Sequence, residues 1–171
     1  MPILEKRFTF DVINQELQTE SICFMRQLLK YQNLIDLLNI SSNCPYTGCE
    51  AANIIGFRWV IGPLEDESNF LPKMAYDALK NIPFRINNPN DRLLCSCCAL
   101  SMFDSLEAAY KRFMGIPKRN RDLLGYTHVS QGTITVEDGL ISSISHDGHF
   151  DFFEYSTIEL RNMFAIIFKI E

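Results

Sequence analysis

Long apolar runs are missing from this chain. No stretch of about 18 apolar residues occurs, so no segment reads as a membrane-spanning helix and no membrane partner is expected. Missing too are Gly-x-Gly-x-x-Gly, a Walker phosphate loop, Gly-x-Ser-x-Gly and His-Glu-x-x-His. The first two wrap backbone amides around phosphate. The third exposes a serine nucleophile on a strained turn, and the fourth sets two imidazoles on one helix face for zinc. Four common enzyme classes therefore lack their sequence signatures. An excess of basic residues is absent as well: 16 Lys and Arg stand against 21 Asp and Glu, a net charge of −5. Without a domain-wide basic face, DNA binding is not expected. The opening Met1-Pro2-Ile3-Leu4-Glu5-Lys6-Arg7 has no apolar core of a secretory signal. The expected location is cytoplasmic, and the cysteines read as thiols or metal ligands before disulfides.

What is present is a chain able to fill a core. It has 171 residues, 47% hydrophobic and 22% charged, with 13 Phe. A chain of this length buries roughly 70% of its unfolded surface without staples. It reads as one domain over 1–171, with a helical arm at 1–43 and a strand-rich body at 56–171.

Thr19 can cap a helix running to about Leu38, because Phe24, Leu28, Tyr31, Ile35 and Leu38 fall on one helical stripe. All five are expected to face the sheet. Phe8 to Leu17 fits a strand or a helix. Dense turn formers make Ser41 to Cys49 a loop, and Gly56-Phe57-Arg58-Trp59-Val60-Ile61, closed by Gly62-Pro63, reads as a strand. A short helix follows near Pro72–Lys80. Ala99 to Phe103 is a buried strand, and Asp104 with Glu107 forms a capping box for the next helix. Its inner face would be Leu106, Tyr110 and Phe113. Tyr126–Val136, Leu140–Ile144 and the apolar run Met163–Ile170 read as strands, the last as a central one. The fold class is α+β: a helical N-terminal third packed on a mixed, mostly antiparallel sheet.

The candidate chemistry lies in a few places. A zinc site would draw on Cys44, Cys49 and two of Cys95, Cys97 and Cys98. The spacing is looser than a zinc knuckle, so inert buried thiols are the reading kept and no metal is expected. His146 and His149 share a turn where both imidazoles can reach one point, with Asp151 or His128 as a third ligand. A neutral His149 can equally act as a base or hold a substrate hydroxyl. Basic clusters Lys111-Arg112 and Lys118-Arg119-x-Arg121 flank Gly115-Ile116-Pro117, as a solvated helix face or a phosphate-binding edge. Arg58 and Ser101 are polar residues inside apolar strands. Such residues either face water by alternation or face a cleft, where an arginine needs an anionic partner.

The series of Arg58 in an early strand, Ser101 in Leu100-Ser101-Met102-Phe103 before a helix, and a late acid near a strand resembles ADP-ribosyltransferase-like proteins. That group includes RES-type NAD-consuming toxins. The resemblance covers roughly residues 56–170. It implies NAD as substrate, Arg58 holding its phosphates or ribose, and Ser101 shaping the nicotinamide pocket. Glu154 would steer the ribose hydroxyls and face the oxocarbenium-like charge, with Glu159 or His149 as competitors for that role. No Ser-Thr-Ser run is present, and no Glu-x-Glu pair stands at the late acid, where such proteins carry it. Two functions follow as expectations. One is an ADP-ribosyltransferase or NAD glycohydrolase with a small nucleotide partner, as in bacterial toxin–antitoxin conflict. The other is a non-enzymatic acidic interaction protein of the immunity or inhibitor type, meeting a protein partner through Glu65-Asp66-Glu67 and the strip at Glu154 and Glu159.

Overall fold

A bracketed apolar run, Ile54 to Val60, becomes the strand from which the sheet is built. The structure is a computed structural model that describes residues 28–40, 42–83 and 90–170. Strands β1 (Ile54–Val60), β2 (Leu100–Phe103), β3 (His128–Ile134), β4 (Gly139–Ile141), β5 (His149–Glu154) and β6 (Phe164–Lys169) form one sheet. Their order is β4-β5-β2-β1-β3-β6, and every pairing is antiparallel. The helices are α1 (Gln32–Leu37), α2 (Lys73–Leu79), α3 (Asp91–Ser96), α4 (Leu106–Met114) and α5 (Lys118–Leu124), with a 3-10 turn at Leu160–Asn162. The class is α+β.

Strand alternation sorts side chains between two faces. On the inner face Val60, Leu100, Met102, Ile134, Phe150 and Phe152 pack with Phe70, Leu160 and Phe164. On the outer face Phe103 and Val129 meet Ala109 of α4, with Phe57 and Trp59 against them. The Trp59 indole donates to Ala109 O at 2.9 Å, which pins α4 to β1. Phe153, also on the outer face, lies under Cys95 and Ala99, with Tyr46 and Cys49 of the preceding loop alongside.

Phe70 holds a backbone φ of 56°, in the left-handed region that a bulky side chain rarely adopts. Its ring is then free to enter the inner core. Its carbonyl receives the Tyr31 hydroxyl at 3.4 Å, while Leu71 O receives Arg58.

Several expectations are corrected. The helix placed over Thr19–Leu38 is helical, among the described residues, only at Gln32–Leu37. Just before it the chain is extended: Lys30 N donates to Glu154 O, Ser156 N donates to Leu28 O, and Leu29 bridges Tyr155. Backbone committed to the end of β5 cannot also make helical bonds. Leu28 is therefore 65% exposed, whereas Ile35 is buried and Tyr31 and Leu38 are partly so. Phe24 and Phe8–Leu17 lie outside the described residues. Ser105, not Asp104, caps α4, its hydroxyl accepting from Ala108 N at 3.2 Å. Among the described residues the run at 163–170 is an edge strand rather than a central one; Ile166, Ile167 and Phe168 are exposed. The cysteines are not all thiols either, because Cys44 and Cys95 form a disulfide.

Candidate functional site

β2 and β5 run side by side, with Ser101 opposite Asp151 and Phe103 opposite His149. Residues two apart on a strand share a face, so His149, Asp151 and Ser101 all project to the outer side. The Ser101 hydroxyl and His149 Nε2 are hydrogen-bonded at 2.8 Å. Asp151 Oδ1 stands 4.0 Å from that same nitrogen. A relay triad puts its carboxylate on the other ring nitrogen. Here serine and carboxylate both lie toward Nε2, an arrangement suited to gripping a ligand group.

The turn before β5 sets the imidazole. Gly148 has φ +77°, and a Cβ there would come within 2.4 Å of Asp104 Oδ1. Asp104 N donates to Gly148 O and Gly148 N donates to Ser145 O, both at 2.9 Å. The Phe103 ring stands edge-on to His149, with centroids 5.6 Å apart.

Asp151 is buried and well supplied with donors. Tyr46 and Ser96 both give their hydroxyls to its Oδ2, at 2.8 and 2.5 Å. Its backbone N–H goes to Ser142 Oγ at 3.0 Å. Ser96, Ser101, His149 and Asp151 open onto a cavity of about 460 Å³. Its walls are Trp59, Tyr76, Tyr126, Leu71 and Leu124, with Ser96, Ser101, His149 and Asp151 as polar points and Arg58 at the back. A mostly apolar hollow with a few convergent polar groups is the usual form of a small-ligand site. A second cavity of about 590 Å³ shares Trp59, Ser101 and His149 as walls and reaches Arg112 and Asp147.

Arg58 reaches the first cavity indirectly. By alternation it belongs to the inner face with Gly56 and Val60, but β1 and β2 have only Phe57 and Phe103 in register. Its side chain bridges the gap: Nη1 donates to Ser101 O at 2.7 Å and Nη2 to Leu71 O at 2.9 Å. Nε has no hydrogen-bond partner among the described residues. Burial pulls the guanidinium below its ordinary range, while Tyr126, Glu154 and Tyr31 oppose that shift. Two carbonyls thus take the fork that the resemblance assigned to phosphate.

Glu154 lies on the other face of β5 and is not part of the cavity wall. Its side chain is fully buried and meets Lys30 Nζ at 3.3 Å. Burial pushes its carboxyl up to about 7, against the lowering by Lys30 and Arg58. Beside it, burial and then Glu154 raise the Tyr31 phenol. Glu159 does not line the cavity either.

Of the expected site residues, Arg58, Ser101 and His149 share one cavity, and Glu154 and Glu159 stand apart from it. Asp151, weighed in the sequence only as a metal ligand, is a carboxylate that lines it beside Ser101 and His149, with the Lys73–Asp77 ion pair also on the wall. The alternation His149-Phe150-Asp151-Phe152 was the available signal, since period two puts both polar groups on one face. Tyr46 and Ser96 carried no such signal. The two turn histidines do not converge: His146 opens onto a different cavity, with Asp104 and Lys111. His128 sits on β3 with its Nδ1 2.8 Å from Thr127 Oγ1. Among the described residues no group of three His, Cys, Asp or Glu is placed to hold a metal ion. No described helix is long and apolar enough to cross a membrane. Comparison of the chain with protein-family models, curated proteins and solved structures finds no match.

Proposed function

We propose that the chain binds NAD and cleaves its nicotinamide, in the manner of ADP-ribosyltransferase-like proteins, at the cavity between β1, β2 and β5. One observation carries this reading: Arg58, Ser101 and His149, distant in sequence, line a single hollow of about 460 Å³. Trp59, Tyr76 and Tyr126 would flank a planar ring there. Ser101 and His149 would hold the carboxamide or a ribose hydroxyl. Asp151, in place of Glu154, would face the positive charge that develops on the ribose as the bond from C1′ to nicotinamide breaks. Nicotinamide leaves with the bonding pair, and water or an acceptor nucleophile bonds to C1′ and gives up its proton. Arg58 serves as the wall behind Ser101, with Nε as its uncommitted donor.

The test is chromatography of NAD incubated with the full chain, beside calorimetry with nicotinamide. Nicotinamide should appear with the natural chain and vanish with Ser101→Ala and His149→Ala. Absence of both release and binding would sink the reading.

A second reading, a non-catalytic protein that meets a protein partner, is favoured by β6. Among the described residues no strand pairs with the outer side of β6, which lies beside exposed Ile166, Ile167 and Phe168. The acidic strip imagined for that role is weakened, since Glu154 is buried. This reading expects the chain's cellular effect to survive Ser101→Ala and to be lost in Ile167→Lys.

A further inference from the structure

The residues that hold Asp151 come from two segments tied together by a covalent bond. Tyr46 belongs to the loop at 42–49 and Ser96 to the last turn of α3. The disulfide joins Cys44, two residues before Tyr46, to Cys95, immediately before Ser96. Both hydroxyls end on one oxygen, Asp151 Oδ2. Further ties run between the same two segments. Ser42 N donates to Asp91 Oδ2 at 2.8 Å, and the Arg92 guanidinium lies 4.4 Å from the centre of the Tyr46 ring. Phe153, two residues after Asp151, stands edge-on to that ring at 6.0 Å. Loop and helix thus form one unit seated on the outer face of β5.

We infer that Tyr46 and Ser96 are positioning residues for Asp151, and that the Cys44–Cys95 disulfide sets them, so that the cavity is fully assembled only in the oxidised chain. A dithiol reductant would release the clamp. Two electrons and two protons pass to the bridge, Cys44 and Cys95 become thiols, and the reductant becomes a disulfide. Cys44 is half-buried and so within reach, whereas Cys95 is enclosed. Reshuffling with the other described cysteines is disfavoured. Burial pushes the thiol of Cys49 up to about 11 and that of Cys98 up to about 12, and it raises Cys97 as well. Exchange needs a thiolate, so none of these three thiols is poised to attack the bridge, and an external thiolate is the better nucleophile.

The role of Asp151 as a ligand carboxylate rests on the proposed NAD reading; the clamp itself does not. The test therefore has two arms. In the first, the full chain carries ¹³C-labelled aspartate carboxyls, and the Asp151 resonance is assigned by its loss in Asp151→Asn. That resonance should move in Tyr46→Phe, in Ser96→Ala and on phosphine reduction of the folded protein, and Ser96→Thr should restore it. A resonance that stays put on reduction overturns the inference. In the second arm, nicotinamide binding should weaken about tenfold on reduction, a loss typical of hydrogen bonds to a charged group. The same reduction should have no effect in Asp151→Asn. An equal loss in that variant would show general loosening and also overturn the inference. Failure of nicotinamide to bind the oxidised chain would count against the NAD reading alone, with the carboxyl resonance still deciding the clamp.

Discussion

Asp151 and Glu154 sit three residues apart on one strand, yet alternation sends them to opposite faces of the sheet. Asp151 lines a cavity and takes two hydroxyl donors on one oxygen. Glu154 is sealed in the interior with Lys30 for company, and burial lifts its carboxyl to about 7. The difference teaches that proximity to the same strand says little about a carboxylate's work. An acid surrounded by hydroxyls beside an open hollow is placed to meet a ligand. A buried acid beside Lys30 and Tyr31 is placed to tie residues 28–31 to the sheet.

The largest expected effect falls on the enclosed face. Phe152→Ala should cost about 3–5 kcal/mol in denaturant unfolding, because Phe152 is fully buried among Leu100, Met102 and Leu160. A loss under about 1 kcal/mol would break the claim that this face carries the core. Next comes the bridge on the cavity face. Replacing Cys44 and Cys95 together by serine should lower stability by about 2–4 kcal/mol, since the closed loop spans 51 residues of sequence.

Glu154 gives the third test, through pH. A carboxyl raised in the folded state from 4.5 to about 7 binds its proton more tightly folded than unfolded. Its contribution is then intact below about pH 4.5 and is lost as pH rises through about 7. Against Glu154→Gln, the natural chain should lose up to about 3 kcal/mol over that window. A flat difference between the two chains would show that Lys30 compensates the charge fully.

The smallest stability effect should come from Ser101→Ala. Ser101 is exposed, so unfolding should change by no more than about 0.5 kcal/mol. Nicotinamide binding should nonetheless disappear. A stability loss as large as that of Phe152→Ala would mean that Ser101 is part of the core and erase the contrast between the faces.

Much of the framework could be read in advance. Gly62-Pro63 closes β1, although Gly56 lies within that strand rather than at its start, Pro72 opens α2, and the turn at 146–148 precedes β5. β5 itself was not assigned as a strand, because His149-Phe150-Asp151-Phe152-Phe153-Glu154 mixes charge with Phe. The strand is buried on both sides, its polar groups matched by partners from elsewhere in the chain. β6 misled in the opposite sense, since a run of apolar residues lies at the sheet edge. Arg58 and Ser101 stood out as polar residues in apolar strands, and both do line the cavity. Glu154 faces away from the cavity that Asp151 lines because the two differ by an odd number of positions on one strand.

The sequence by itself determined the class of fold, most of the strands and the two polar residues that mark the cavity. Those follow from short-range rules: turn formers bracket apolar runs, and alternation picks a face. The tertiary structure alone decided that Asp151 and not Glu154 meets the cavity, that Cys44 reaches Cys95, and that Tyr46 and Ser96 converge on one oxygen. Those depend on strand order and register, which bring residues 46, 96, 101 and 151 together across more than a hundred positions of chain. No local pattern records such pairings, because the energy that fixes them is the joint burial of both sheet faces.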